Sequence, residues 1–291
     1  MEQTIIDVHH HAFPPDAPVR PWSLEEDREQ MERHGVRTVL LSCPLQTEAA
    51  SAHRYNRFLA AQVQAAPQHY RMLGSLPYDN PGAALEEIPY VLHECGGVGF
   101  CLNTHNHEIY LGNDCLNPVF DALNRRRAVV VLHPCHHRAP GNEKLVFTGN
   151  DSVYEYTFDT TRAVMDFVLQ GKRRRWPEIR WVLPHAGGTI PFLAHRMAVS
   201  GAWGSIRQSE EELLADLKSF YYDLALNHAE ENYAFLKSFA GAEHLLFGTD
   251  YPNSGTALLG RDLLQMRNTS VFSETEKEQI LHQNAEVLWG I

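Results

Sequence analysis

The chain has 291 residues, a formal net charge of −11 and a hydrophobic fraction of 44%. The length admits two domains, but barrels of about 250 residues commonly form one, so 1–291 is expected to be a single domain. The acidic balance argues against a nucleic-acid backbone or an anionic membrane surface as partner; no run of about 20 apolar residues reads as a membrane span, and no basic-plus-apolar leader precedes Ile5.

Strand-like and helix-like segments alternate along the chain. Residues 4–8 read as a buried strand that runs out into His9, His10 and His11. SLEEDREQMERHG is a capped helix with an acidic first turn and a closing glycine. VRTVLLS is a strand, 48–66 a helix, YRMLGSLP a strand, 81–94 a helix and GGVGFCLN a strand. A helix over 114–126 precedes AVVVLHP, an apolar strand, and a helix over 158–175 precedes the strand IRWVLPHA. Two helices are expected within 189–219, then the strand FYYDLAL, a helix over 230–240, the strand HLLFGTDYP, and closing helices over 256–267 and 275–289. The charge run KRRRW reads as the solvated end of a helix. Nearly continuous apolar strands are what a parallel sheet covered by helices requires. Eight such units favour an α/β fold of the (β/α)8 TIM-barrel type over an open doubly wound sheet. An open sheet would more often carry a glycine-rich phosphate loop after the first strand, where this chain has histidines.

In such barrels the chemistry lies at the C-terminal ends of the strands. The first strand ends in His9 and His11, the fifth in His133, the sixth in His185 and the eighth in Asp250. On a strand, alternate side chains share a face, so His9 and His11 point one way and His10 the other, with Asp7 on the side of His9 and His11. Taken singly, His133 reads equally well as a packed rim histidine, His185 as a helix cap and Asp250 as a turn residue. Five such residues at strand ends are better explained by one metal site. Imidazole and carboxylate donors suit Zn²⁺, with Mn²⁺ or Fe²⁺ as the alternatives where oxygen ligands and open positions increase. Asp7 is expected either to orient a ligand histidine from behind or to fill the barrel floor with a hydrogen bond.

The ordered set of HxH after the first strand, His after the fifth and sixth, and Asp after the eighth resembles the amidohydrolase superfamily. The fourth strand, GGVGFCLN, lacks the lysine or glutamate that two-metal members use, so a single metal is implied. DVHHHAFP, FDTTRAV, LPHAGGTIPFLAHR and LLFGTDYP resemble its non-oxidative decarboxylase branch, which includes α-amino-β-carboxymuconate-ε-semialdehyde decarboxylase. The segments WSLEEDREQMERHGV, GSLPYDNPGAALEEI and HNHEIYLGNDCLNPVFDALNRR are most similar to 6-methylsalicylate decarboxylase-like proteins. The resemblance implies that His9, His11, His133 and Asp250 hold one divalent ion. It also implies that Asp250 and His185 are catalytic, that the substrate is a small hydroxy-aromatic or enol-type carboxylic acid, and that the chain forms a homodimer. The alternative is hydrolysis of a small lactone or amide, with Asp250 taking a proton from water and His185 polarising the carbonyl.

Two loops are expected to reach the substrate. AFPPDAPVRPW offers Phe13, Arg20 and Trp22. The long segment over 134–157 offers His137, Arg138 and Tyr154. The five cysteines are odd in number and lack CxxC spacing, which reads as reduced thiols in the cytoplasm.

Overall fold

The computed structural model describes residues 4–17, 19, 22–45, 48–77, 80–107, 109–135, 152–204 and 206–291. The apolar runs become strands β1 (Ile6–His11), β2 (Thr38–Ser42), β3 (Tyr70–Ser75) and β4 (Gly99–Asn103), then β7 (Val129–His133), β8 (Arg180–Leu183), β9 (Tyr221–Asp223) and β10 (Leu245–Leu246). A short antiparallel pair absent from the sequence reading, β5 (His105–Asn106) and β6 (Ile109–Tyr110), follows β4. The eight longer-range strands form one sheet in the order β1-β2-β3-β4-β7-β8-β9-β10, every pair parallel. Backbone bonds from Val8 N to Phe247 O (3.1 Å), Asp250 N to His9 O (2.8 Å) and His11 N to Tyr251 O (2.8 Å) tie the last segment back to the first strand. This is the expected (β/α)8 barrel.

Helices α1 (Leu24–His34), α2 (Ala49–Ala65), α3 (Pro81–Pro89) and α4 (Asn117–Arg125) cover the first half. The second half is covered by α5 (Ser152–Leu169), α6 (Lys172–Arg175), α7 (Ile190–Ala198), α8 (Glu210–Lys218), α9 (Glu230–Ala240), α10 (Thr256–Asn268), α11 (Glu274–Glu278) and α12 (Asn284–Trp289). Their ends follow local chemistry. The Ser23 side chain accepts from Glu26 N to start α1, and Gly35, in the left-handed region at φ 74°, ends it. Capping boxes Ser209/Glu212 and Ser273/Glu276 start α8 and α11. Ile6, Val8, Leu40, Leu73, Cys101, Val129, Val131, Val182 and Leu246, drawn from one face of successive strands, pack together with Ala285 and Leu288 of α12. The barrel interior is thus filled with apolar side chains, which leaves the polar strand ends as the place for chemistry.

Three local expectations are corrected. The histidines lie within β1 and not beyond it, because pairing with β2 runs on to His11↔Ser42. Helix α5 starts at Ser152, six residues before the apolar spacing suggested. KRRRW is a separate helix, α6, and its Lys172 is buried, with Nζ 2.8 Å from Asp114 and 3.1 Å from Asn117 Oδ1. A buried ammonium has to be paired, and the acid that pairs it lies 58 residues away. Among the described residues no helix is long and apolar enough to cross a membrane.

Candidate metal centre and active site

Donor atoms of His9, His11, His133 and Asp250, all buried, lie within 4.8 Å of one another. The imidazoles stand edge to face, with centroids 5.0 Å apart for His9–His11, 5.3 Å for His9–His133 and 4.7 Å for His11–His133. His185 joins from the other side, its ring centred 4.8 Å from that of His9. The barrel brings together five residues that the sequence spreads over 242 positions.

Each histidine is turned by a partner on its outer nitrogen. His9 Nδ1 is 2.8 Å from Asp223 Oδ2, and Asp223 Oδ1 also accepts from the backbone N–H groups of His185 (2.9 Å) and Ala225 (3.0 Å). His11 Nδ1 is 2.9 Å from Ser42 Oγ, whose own hydroxyl donates to His10 O (3.1 Å). With Ser42 Oγ donating to His10 O, it can accept from His11 Nδ1, the tautomer that turns a lone pair on Nε2 toward an ion. His133 Nδ1 donates to Pro134 O at 2.8 Å. All three Nε2 atoms therefore face the same small volume as the Asp250 carboxylate. His9 Nε2 and His133 Nε2 are buried with no hydrogen-bond partner among the described residues. His11 Nε2 stands 3.0 Å from Asp250 Oδ1. A buried polar atom left unsatisfied costs about 1–3 kcal/mol. Three imidazoles and one carboxylate converging in this way fit a divalent cation.

The electrostatics divide the histidines, with His11 and His133 lowered and His9 raised. Burial, assisted by the neighbouring imidazoles, pushes His133 well below its ordinary value, and burial lowers His11 to about 4 against the pull of Asp250. Burial would likewise lower His9, but Asp223, with Asp250 behind it, outweighs this and raises it to about 9. Burial and His9 lower His185. Asp250, which burial alone would raise, is held far below the usual carboxylate range by His11 and His9, so it is ionised.

The backbone is bent to present these groups. Asp250, His185 and Ala186 have φ of 58°, 51° and 58°, a left-handed conformation costing about 1–2 kcal/mol at a residue other than glycine. Gly187 and Gly188 after His185 have reasons of their own: a Cβ on Gly187 would lie 2.6 Å from the Tyr222 ring, and one on Gly188 2.3 Å from Thr157 O of α5.

Asp7 falls differently from the alternation. A register shift between Asp7 and His10 takes one residue out of step, so Asp7 sits with His10 and not with His9 and His11. His10 Nδ1 is 2.8 Å from Asp7 Oδ2 and its Nε2 2.8 Å from Asp27 Oδ1. Burial opposes charge on His10, yet Asp27 and then Asp7 raise it to about 10. Asp7 thus fills the barrel floor with hydrogen bonds, the second of the two expectations, and the carboxylate on the outer nitrogen of His9 is that of Asp223. Its signal was present in FYYDLAL, as an acid at a strand end like Asp250, but the sequence reading did not take it up.

Of the proposed substrate contacts, Phe13 is buried with its ring 6.0 Å from that of His11. Trp22 donates to Asp27 Oδ1 at 3.1 Å and packs on Phe58. Tyr154 is half-buried in the first turn of α5, and the ring that reaches His133, at 6.3 Å, is that of Tyr156, which the sequence reading passed over. Arg20, His137 and Arg138 lie outside the described residues. A narrow cleft at the ends of β2, β3 and β4 is lined by Cys43, Leu45, Ser75, Leu76, Cys101, Asn103 and Asn106. It adjoins the histidines, since Asn103 pairs in register with His133 and Cys43 follows Ser42.

The amidohydrolase family model matches residues 6–291. A 6-methylsalicylic acid decarboxylase of Aspergillus aculeatus is 34% identical over 86% of this chain and 84% of its own length. One from Penicillium expansum is 33% identical over 86% and 85%. Among solved structures, a dihydroxybenzoic acid decarboxylase from a Polaromonas species, with bound manganese and 2-nitroresorcinol, superposes with a TM-score of 0.85 at 21% identity, covering 99% of this chain and 97% of that one.

Proposed function

This chain belongs to the amidohydrolase family, and from that premise we propose that it is a metal-dependent, non-oxidative decarboxylase of a small hydroxy-aromatic carboxylic acid. The observation that carries the metal is the convergence of three buried imidazole nitrogens and one carboxylate within 4.8 Å of one another. His9, His11, His133 and Asp250 would hold the ion. The donor set favours Zn²⁺, whereas the manganese of the Polaromonas structure favours Mn²⁺. Bound there, a divalent ion supplies Lewis-acid polarisation of the substrate carboxylate and its neighbouring oxygen.

Decarboxylation breaks the bond between ring and carboxyl carbon, leaves the electron pair on the ring carbon and requires a proton there. Asp250 is the proposed carrier. Being ionised at rest, it first takes a proton from the substrate hydroxyl or from solvent and then passes it to the ring carbon. His185, neutral and fixed by its Nδ1 donating to Ala225 O at 3.2 Å, offers Nε2 to a substrate oxygen or its proton.

The cleft supports an uncharged ring substituent such as methyl. Burial pushes the Cys101 and Cys43 thiols up, Cys101 to about 12, so both stay neutral, and among the described residues no cationic side chain lines the cleft to meet a second carboxylate. Phe13 and Tyr156 are proposed to flank the ring. Hydrolysis is not favoured, since the curated relatives above are named decarboxylases. The proposal includes a cytoplasmic homodimer.

The test is metal analysis of the purified protein with a CO₂-release screen of hydroxybenzoates that includes 6-methylsalicylate. One metal per chain, with release abolished in Asp250→Asn, is expected. Metal without CO₂ from any of these acids would sink the decarboxylase reading, and absence of metal would sink the site.

A further inference from the structure

The middle histidine of the three is not among the converging donors, yet it is the most completely enclosed side chain of the run. Its ring nitrogens face Asp7 Oδ2 and Asp27 Oδ1, both at 2.8 Å, and all three side chains are at most 1% exposed. Beyond Asp27, which lies in the first turns of α1, Trp22 Nε1 donates to Oδ1 (3.1 Å) and Tyr70 OH to Oδ2 (2.7 Å). In the other direction, Asp7 is saturated by donors. Oδ1 accepts from His9 N and Thr249 N, both at 3.1 Å, and Oδ2 accepts from Thr249 Oγ1 at 2.5 Å as well as from His10.

Thr249 is the residue before Asp250. Its hydroxyl donates to Asp7 and accepts from Tyr251 N at 3.1 Å, so it grips the chain on both sides of residue 250. Asp250 N is bonded to His9 O (2.8 Å), and Asp250 O accepts from Ser254 N (2.9 Å). A left-handed aspartate costs about 1–2 kcal/mol. Each of these hydrogen bonds contributes about 0.5–1.5 kcal/mol, so two or three of them suffice to hold the turn. The clasp works only if the Asp7 carboxylate is held in one place, and His10, with its two ring nitrogens 2.8 Å from Asp7 Oδ2 and Asp27 Oδ1, is the side chain that anchors it to α1.

We propose that His10 is a positioning residue for the metal centre: spanning Asp27 and Asp7, it fixes the carboxylate that clasps Thr249 and thereby sets the backbone from which Asp250 reaches the metal ligands. The inference rests on the reading that Asp250 is one of those ligands. It gives the three consecutive histidines two different tasks, with the outer pair donating to the ion and the middle one tying α1, β1 and the end of the last strand together.

The experiment is a double-mutant cycle read as Mn²⁺ affinity of the metal-stripped protein by calorimetry. His10→Asn is too short to span both acids, and Thr249→Val removes the hydroxyl with little change of shape. Each is expected to weaken Mn²⁺ binding about tenfold or more, the usual effect of losing a support behind a ligand. The double variant is expected to bind no more than about twofold worse than the weaker single, because both act through Asp7. A side chain that only braced the fold would lower the melting temperature of the metal-free protein and leave the Mn²⁺ dissociation constant unchanged. That result, or losses that multiply in the double variant, would overturn the proposal. Should His10→Asn not fold, Asp27→Asn replaces it in the cycle. A parent protein that binds no Mn²⁺ or Zn²⁺ would overturn the metal reading together with this one, whereas binding unaffected by the substitutions overturns this one alone.

Discussion

His11 Nε2 and Asp250 Oδ1 stand 3.0 Å apart at a buried point on which His9 and His133 also converge. A cation lying against all four ligand atoms would hold the ends of β1, β7 and the last strand segment together. Metal removal is therefore expected to be felt as stability. Mn²⁺ or Zn²⁺ at about 100 times its dissociation constant adds about 2.7 kcal/mol, a rise of roughly 5–10 °C in melting temperature for a chain of this size. Calorimetric scans of chelator-treated protein with and without added ion check this; an unchanged melting temperature would count against the site.

Asp223 holds His9 through Nδ1 at 2.8 Å. Asp223→Asn keeps the shape and removes the charge. Metal affinity or activity is expected to fall about 10–100-fold, with loss of bound metal in elemental analysis as the readout. Full metal content at unchanged affinity would mean that Asp223 serves only the loop behind it, through His185 N and Ala225 N.

Apart from the metal centre, Asp159 collects His105 Nδ1 (3.1 Å), Tyr110 OH (2.6 Å), Arg162 (3.1 Å) and Thr104 Oγ1. Burial opposes charge on His105, but its bonds to Asp159 and Cys135 raise it to about 10. A raised folded value means that the stabilisation is complete below the unfolded value of about 6.5 and is lost as pH climbs through about 10. The melting-temperature gap between the parent and His105→Gln, measured in chelator, is expected to be widest near pH 6 and to narrow toward pH 10. A gap independent of pH over that window would mean that His105 is held neutral.

Gly188 has φ +62°, and its missing Cβ would sit 2.3 Å from Thr157 O. Gly188→Ala must push α5 outward and adopt a strained backbone, at a cost of about 1–3 kcal/mol. Because Tyr156 lies next to Thr157, substrate affinity is expected to weaken as well. Urea unfolding and KM for the decarboxylated acid check the two effects; a variant as stable as the parent would show that α5 yields freely.

How much was legible in the sequence depended on the range of the signal. The apolar runs placed all eight barrel strands because a strand buried on both faces must be apolar along its length, whatever it pairs with. His133 and Asp250 were found because a polar residue directly after such a run stands out. Asp223, in a three-residue strand, stands out less, and its significance lies in His9, 214 residues earlier. Tyr156 was missed because the start of α5 is not marked by spacing alone.

The sequence by itself determined the barrel, its order of elements and the five strand-end residues, since periodicity and strand termination are properties of neighbours in the chain. Only the tertiary structure decided which way those residues turn. The shift in β1 that moves Asp7 from His9 and His11 to His10 arises from pairing with β2 on one side and with residues 247–251 on the other. Alternation fixes faces only while a strand stays in step with its partners, and staying in step is settled by hydrogen bonds to β2 and to chain more than 200 residues away.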